Sequence, residues 1–185
     1  MATKVTYPSL SVNSPHGDIV RHYIQFRRAE FHTELAWFAS QPSFKSMLYE
    51  AAHARDDLGQ RLSHQRRLRR HVIPAAYLLI EKISNELQTA ANFEDLFSLI
   101  DTELNKVSYA GDLYSYDTAL RVGAFLKLFP TQVFLQQGSM VGARKISTTY
   151  RERSVPLSQF PKSYHRLAPF EMENLLCCYK NNLHP

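Results

Sequence analysis

Apolar residues recur at spacings of three and four along most of the chain, which is the period of an amphipathic α-helix. The pattern begins near Asp18 and predicts a first helix that ends before Pro42. A second predicted helix starts at Phe44 and continues, with a possible interruption at Gly59, through an arginine-rich stretch. Pro74 ends or kinks this helix, and it would fit equally well as the first residue of the next.

The middle of the chain carries the most regular pattern. Two successive segments have apolar residues on one helical face, at Ala76, Ile80, Ile83 and Leu87, and then at Phe93, Leu96, Phe97, Ile100, Leu104 and Val107. Asn92 is expected to cap the second of these helices, with Asp95 in its first turn. Another helix is predicted from Leu113 to the residue before Pro130.

Shorter helices are predicted near residues 131–137 and 139–147, and a last helix near 169–181. Alternating, strand-like patterns are scarce. We therefore expect an all-α protein: an irregular arm over residues 1–17, followed by one compact multi-helix domain over residues 18–185 that contains a helix-hairpin-helix-like corner.

Composition agrees with a folded protein in an aqueous compartment. Of the 185 residues, 44% are hydrophobic and 21% are charged, which argues against disorder. The N-terminal residues lack the apolar core of a signal peptide, and the longest apolar run, residues 75–80, is far shorter than the roughly 20 residues that span a bilayer. The two cysteines, Cys177 and Cys178, are adjacent and provide no disulfide framework. We expect a cytoplasmic protein with no membrane partner and no cofactor.

Positive charge is concentrated in residues 61–71, RLSHQRRLRRH, in a chain of formal net charge +5. If this stretch is helical, Leu58, Leu62, Leu68, Val72 and Ile73 share one face, and Arg66, Arg67, Arg70, His64 and His71 project on the other. Such a basic helix face could neutralise phosphates, or it could be a solvated surface that pairs with acidic groups. Arg69 falls inside the apolar arc, so it must extend to solvent, meet a carboxylate or lie at a partner interface.

The turn at residues 108–112, SYAGD, joins two predicted helices. Val107 before the turn, the apolar Ala110, Gly111 and the small Ser115 match the helix-hairpin-helix family, and the chain resembles that family over about residues 93–146, including its version in base-excision DNA glycosylases. The resemblance implies that backbone N–H groups of the turn and of the second helix bind a DNA phosphate. An αα-corner that binds no DNA is the alternative.

Three departures from the family pattern limit what the resemblance implies. Tyr109 stands where the family commonly has a first glycine, and Asp112 adds a negative charge beside the phosphate position. The stretch VFLQQ has Phe134 and no acid where the glycosylase subgroup has its aspartate, so no glycosylase chemistry follows. The phrase YDTALRVG is also similar to uncharacterised bacterial helical proteins, which adds no activity.

Three further features bear on function. Tyr109, Tyr114 and Tyr116 gather near the turn and could stack on bases. Asp117 and Arg121 have the spacing of a surface ion pair on a helix. Glu50 and His53 have the E-x-x-H spacing of di-metal helical bundles, which need two such motifs and further glutamates, whereas one is found.

We therefore predict a non-catalytic nucleic-acid-binding or adaptor protein that prefers DNA to RNA and is a subunit of a hetero-complex or a homo-oligomer. Its predicted contact residues are Arg66, Arg67, Arg70, Tyr109, Gly111, Arg144 and Lys145. One alternative is a protein–protein interaction module that binds an acidic partner without nucleic acid. A weaker alternative is a helical metalloenzyme built on Glu50 and His53.

Overall fold

The computed structural model describes residues 9–62 and 65–185. The protein is 60% helical, and the predicted mostly helical class is confirmed. Over the described ranges the α-helices are α1 (His16–Phe26), α2 (Arg28–Ala39), α3 (Phe44–His53), α4 (Val72–Lys82), α5 (Ser84–Gln88), α6 (Phe93–Leu104), α7 (Asp112–Leu126), α8 (Gln137–Ile146) and α9 (Pro169–Cys178). Strands β1 (Val133–Phe134) and β2 (Ser154–Val155) pair antiparallel, and short 3-10 helices occupy Leu157–Gln159 and Lys162–Arg166.

The chain divides into two compact units. The central unit is His32–Thr131, and the terminal unit combines the chain up to Phe31 with Gln132–Pro185. The boundary falls within α2. The single domain predicted over residues 18–185 stays a prediction.

The central unit is held together by helix packing. Helix α6 packs on α7 and α4, and α3 packs on α4 and α7. Gly123 permits a close approach within this unit, because a Cβ there would lie 2.4 Å from the Leu128 carbonyl oxygen and 3.3 Å from the Phe93 ring. The expected Asn92 cap is confirmed: the Asn92 side chain accepts a hydrogen bond of 2.8 Å from the Asp95 backbone N–H.

The terminal unit has its own apolar core. Helix α9 packs on α8 and β1, and α1 packs on the 3-10 helix Lys162–Arg166. Helices α8 and α9 approach closely, because a Cβ on Gly142 would be 2.2 Å from the Leu176 carbonyl oxygen. The fully buried members of this core include Ile19, Val20, Tyr23, Val133, Ala143, Tyr164, Met172, Leu175 and Leu176.

The prediction that α3 continues through residues 61–71 as a basic helix is wrong. Helix α3 ends at His53, and Ala54 follows in the left-handed conformation with φ of 50°. The Asp56 carboxylate then accepts hydrogen bonds from the backbone N–H groups of Leu58, at 3.0 Å, and Gln60, at 2.7 Å. These bonds close a turn in which Leu58, predicted to be on an apolar face, is 70% exposed. Aspartate and glycine form such turns readily, so the local turn chemistry overrides the helical spacing of the leucines.

Other helix boundaries also differ from the prediction. The first predicted helix is interrupted at Arg27, and the helix predicted over 76–87 is interrupted at Ile83. Neither position has a neighbouring glycine or proline that would have marked the break. The segment expected to be helical at 131–137 contains β1 instead. Among the described helices, none is both long and apolar enough to cross a bilayer.

Candidate nucleic-acid interface

Residues 65–71 form an exposed basic segment that follows a series of turns. Backbone N–H groups bond to carbonyl oxygens three residues earlier, from Leu68 to Gln65 at 3.2 Å and from Val72 to Arg69 at 3.0 Å. Gln65 is only 2% exposed, and its side-chain amide donates to the Asp117 carboxylate on α7. The segment is therefore attached to the central unit by its first residue. His64, which was predicted on the basic face, lies outside the described residues.

The arginines of the basic segment point to solvent. Arg66, Arg67 and Arg70 are all exposed, and so is Arg69. Arg66 donates a weak hydrogen bond of 3.4 Å to the Arg61 carbonyl oxygen. The predicted helix is absent, and the role of these arginines as contact residues stays a prediction.

Residues 105–111 form the α6–α7 turn. Its backbone is closed by hydrogen bonds from the Val107 N–H to the Leu104 oxygen, at 2.9 Å, and from the Ala110 N–H to the Val107 oxygen, at 3.1 Å. Val107 and Ala110 are buried beneath the turn. Gly111 precedes α7 with φ of 72° and ψ of 154°, a combination that is essentially confined to glycine.

Tyr109 is the most unusual residue of this turn. Its φ is 73°, in the region that favours glycine, and its side chain is 63% exposed. A bulky residue in this conformation is rare and costs backbone energy. The helix-hairpin-helix pattern commonly has its first glycine at this position. Tyr109 has a positive φ there, which a glycine would adopt without strain.

The basic segment and the α6–α7 turn meet at Tyr109. The Arg69 guanidinium carbon lies 3.6 Å from the centroid of the Tyr109 ring, which is close cation–π stacking. The His71 ring also approaches Tyr109, with centroids 6.2 Å apart and planes inclined at 77°. Two features identified separately along the sequence are therefore neighbours in the fold.

Three residues of this surface were not predicted as contact residues from the sequence. Arg69 was marked only as misplaced within an apolar arc, and that anomaly was the one available signal of its contact. His71 was grouped with the basic face but not chosen as a contact residue. Gln65 gave no signal, because its partner Asp117 is distant in sequence.

Beneath the turn, the start of α7 is attached to α3. The Tyr114 hydroxyl donates a hydrogen bond of 2.5 Å to the Ala52 carbonyl oxygen, and burial raises the pKa of Tyr114 well above its usual range. Tyr116 is fully buried as well. Of the three tyrosines predicted near the turn, only Tyr109 is therefore accessible to a base.

Arg121 is an interior residue, and the predicted surface ion pair with Asp117 is wrong in that respect. Its side chain is 2% exposed and lies 3.8 Å from the Asp117 carboxylate and 4.0 Å from that of Glu34. It donates to the Ala51 carbonyl oxygen at 3.3 Å. The guanidinium therefore ties α7 to α2 and α3 inside the central unit.

The remaining predicted contact residues, Arg144 and Lys145, lie in the last turn of α8 in the terminal unit. Both are exposed, and positive charge is favourable there because the C-terminal end of a helix carries partial negative charge. Arg144 donates a 3.4 Å hydrogen bond to the Tyr150 carbonyl oxygen. Their inclusion in a common surface with the arginines of the basic segment stays a prediction.

The surroundings of His53, the histidine of the E-x-x-H motif with Glu50, are aromatic. His53 Nδ1 lies 2.8 Å from the Tyr49 carbonyl oxygen, and the His53 and Tyr49 rings stack with centroids 3.9 Å apart. Burial lowers the pKa of His53. Over residues 9–62 and 65–185, no group of three or more histidine, cysteine, aspartate or glutamate side chains is arranged to hold a metal ion.

No protein-family model, curated protein or solved structure matches this chain. Function is therefore inferred from the geometry of the surface around Tyr109.

Proposed function

We propose that this protein binds nucleic acid, DNA in preference to RNA, through the basic segment and the α6–α7 turn, without catalysing a reaction. The observation that carries the proposal is the 3.6 Å stacking of Arg69 on Tyr109. It brings Arg69, one of four exposed arginines in the basic segment, against an exposed aromatic ring of the α6–α7 turn. Cationic and aromatic side chains side by side are the two groups that nucleic-acid surfaces combine.

The arginines supply the affinity in this proposal. A guanidinium can donate two parallel hydrogen bonds to a phosphate, and each neutralised phosphate releases condensed counterions. Arg66, Arg67 and Arg70 are exposed on consecutive turns, so they can follow a phosphate backbone without first leaving a buried position. Binding of this kind is independent of sequence and weakens steeply with salt.

The α6–α7 turn supports the resemblance to the helix-hairpin-helix family. Gly111 has a glycine-specific backbone, Val107 and Ala110 anchor the turn, and α7 begins directly after it. The N-terminal end of α7 carries partial positive charge that attracts an anion. Asp112 in its first turn opposes a phosphate at that end, so the arginines of the basic segment make the larger contribution.

The test is binding of a generic DNA duplex and a single strand as a function of salt, with Arg66, Arg67 and Arg70 changed together to alanine. Between about 50 and about 200 mM salt, we expect the slope of log affinity against log salt to become shallower by about 2 to 3 in the triple variant with the duplex, at about 0.9 per lost phosphate contact. The matched control changes Lys162, Arg166 and Lys180 of the terminal unit to alanine, which removes the same charge.

The control variant should keep the wild-type slope. Binding that is undetectable for the wild type at low salt would overturn the proposal, and so would equal slopes for the wild type and the triple arginine variant. Gly111 is unsuitable as the main test, because any other residue there is strained and stability would change together with binding.

A further inference from the structure

We propose that Tyr109 is a stacking surface for an unpaired base, so that the preferred ligand is single-stranded DNA or an unpaired nucleotide within DNA. This inference rests on the proposed function and adds the ligand class to it. Three observations carry it: the exposure of the Tyr109 ring, its strained backbone and its neighbours Arg69 and His71.

The first step concerns the backbone conformation of Tyr109. With φ of 73°, Tyr109 occupies a conformation that glycine would adopt without strain, yet the residue is 63% exposed and gains little from burial. Strained residues persist when the surrounding structure over-determines them, and they are concentrated at functional sites. Here the surroundings are the buried Val107 and Ala110 on either side, which fix the turn that presents the ring.

The second step concerns which surface of the ring is available. The Arg69 guanidinium lies over one face of the ring at 3.6 Å, so a base would have to stack on the opposite face. The guanidinium and the nearby His71 ring restrict the orientation of the tyrosine. A ring whose orientation is restricted in advance loses less freedom when a base stacks on it.

The third step concerns the ligand. Every base has a π-face, so stacking on an aromatic side chain tolerates any sequence. A base inside an intact duplex is already stacked on both neighbours, whereas an unpaired base has a face to offer. Arg69 beside Tyr109, together with the other exposed arginines of the same segment, can hold the flanking phosphates, and stacking plus backbone contact is the combination found in single-strand binding.

The experiment compares two single strands that carry identical charge. One is oligothymidylate, and the other is an abasic oligonucleotide of the same length, with the same phosphates and sugars but no bases. We expect the wild type to bind the base-bearing strand between about fivefold and about a hundredfold more tightly, which is the range measured for one base on one aromatic residue. The Tyr109→Ala variant should bind both strands with the affinity that the wild type has for the abasic strand.

Three further variants separate stacking from structure. Tyr109→Phe should keep the preference for bases, while Tyr109→Leu, which is apolar and bulky but not aromatic, should lose it. All keep an ordinary L-residue at the positive φ, so the backbone strain is comparable. Tyr109→Trp should keep the preference, and its added fluorescence should be quenched by the base-bearing strand and not by the abasic one.

The outcomes distinguish the inference from the function on which it rests. Equal binding of both strands by the wild type would overturn the stacking role and leave phosphate binding intact. A Tyr109→Ala variant that loses affinity equally for both strands would also overturn it, because the loss would then be structural. Absence of binding to either strand at low salt would overturn the proposed function itself.

Discussion

The side-chain amide of Gln65 donates a hydrogen bond to the carboxylate of Asp117, and this contact joins the exposed basic segment to helix α7. Asp117 in turn lies 3.8 Å from the buried guanidinium of Arg121. A surface that carries several arginines is therefore connected through two polar contacts to the interior of the central unit. The position of the basic segment depends on a side chain that is itself almost completely buried.

Replacing Gln65 with leucine should loosen the basic segment. Leucine has a similar size but no donor, so the half-buried Asp117 loses a partner, and we expect the free energy of unfolding to fall by about 1 to 3 kcal/mol. Backbone amides of residues 66–71 should exchange faster with deuterium, and affinity for oligonucleotide should fall several-fold because the arginines are less preorganised.

Gln88→Leu is the matched control, since the exposed Gln88 donates only within α5, to the Ser84 carbonyl oxygen. Its effect on stability should stay within about 0.5 kcal/mol. Unchanged exchange of residues 66–71 in Gln65→Leu would show that the hydrogen bond does not hold the segment.

Arg28 and Glu171 should contribute more to stability than any exposed ion pair of the terminal unit. Arg28 donates two hydrogen bonds to the Glu171 carboxylate, at 2.6 and 2.9 Å, and Glu171 is 1% exposed. The same carboxylate accepts a 2.8 Å bond from the Ala168 backbone N–H at the start of α9. Arg28→Met removes the counter-ion of this buried carboxylate, so we expect a loss of about 3 kcal/mol in chemical denaturation.

The comparison for this pair is Arg21→Met, which removes the exposed ion pair with Asp18. Its cost should be below about 1 kcal/mol, because solvent screens both charges. Similar losses in the two variants would contradict the assignment of Arg28–Glu171 as a structural pair.

Three glycine-to-alanine changes should distinguish glycines that are required for close packing from a glycine that only lowers helix propensity. At Gly123 and Gly142 the new Cβ would meet backbone carbonyl oxygens at 2.4 and 2.2 Å. The free energy of unfolding of each variant should therefore fall by about 1 to 3 kcal/mol. At Gly17 in α1 nothing lies within 4 Å, and alanine should stabilise the protein by about 0.5 to 1 kcal/mol. Thermal unfolding of the three variants measures the difference, and a stabilised Gly142→Ala would refute the packing of α8 on α9.

Stability should decrease below about pH 6.5 partly because of His53. Burial lowers the pKa of His53, the hydrogen bond with the Tyr49 carbonyl and the Glu50 charge oppose this, and Arg55 and Arg61 add to it. The folded state therefore takes up this proton less readily than the unfolded state, whose pKa is ordinary. The stabilising contribution is complete above the unfolded pKa and is lost as pH falls below it.

Chemical denaturation at neutral and mildly acidic pH checks this expectation. The wild type should lose more stability on acidification than His53→Gln, which lacks the titrating group. An NMR titration should place the His53 pKa below its usual value. Parallel pH dependences of the two proteins would contradict the burial of neutral His53.

The helices of the central unit were predictable where local signals and packing agree. The Phe93–Leu104 pattern, the Asn92 cap and the helix after Gly111 carry local signals that agree with the packing, so sequence periodicity identified them. The helix predicted for the arginine-rich stretch was wrong because two local signals conflicted. The leucines have helical spacing, whereas an aspartate closes a turn after His53, and the structure contains the turn.

The candidate site was predictable in its parts but not in its assembly. Tyr109, Gly111 and the arginines were identified from local chemistry, whereas the stacking of Arg69 on Tyr109 depends on how α4, α6 and α7 pack. The burial of Arg121 was missed for the same reason, because its spacing from Asp117 is typical of an exposed helix surface. Contacts between distant positions leave no periodic trace in one sequence.

The division of the chain has a consequence for how the protein is synthesised. The terminal unit is assembled from both ends of the sequence, whereas the central unit is one continuous stretch, His32–Thr131. On the ribosome the central unit can complete its packing while its C-terminal neighbours are still being translated. The apolar face of α1 must stay unburied until β1, α8 and α9 emerge and complete its core.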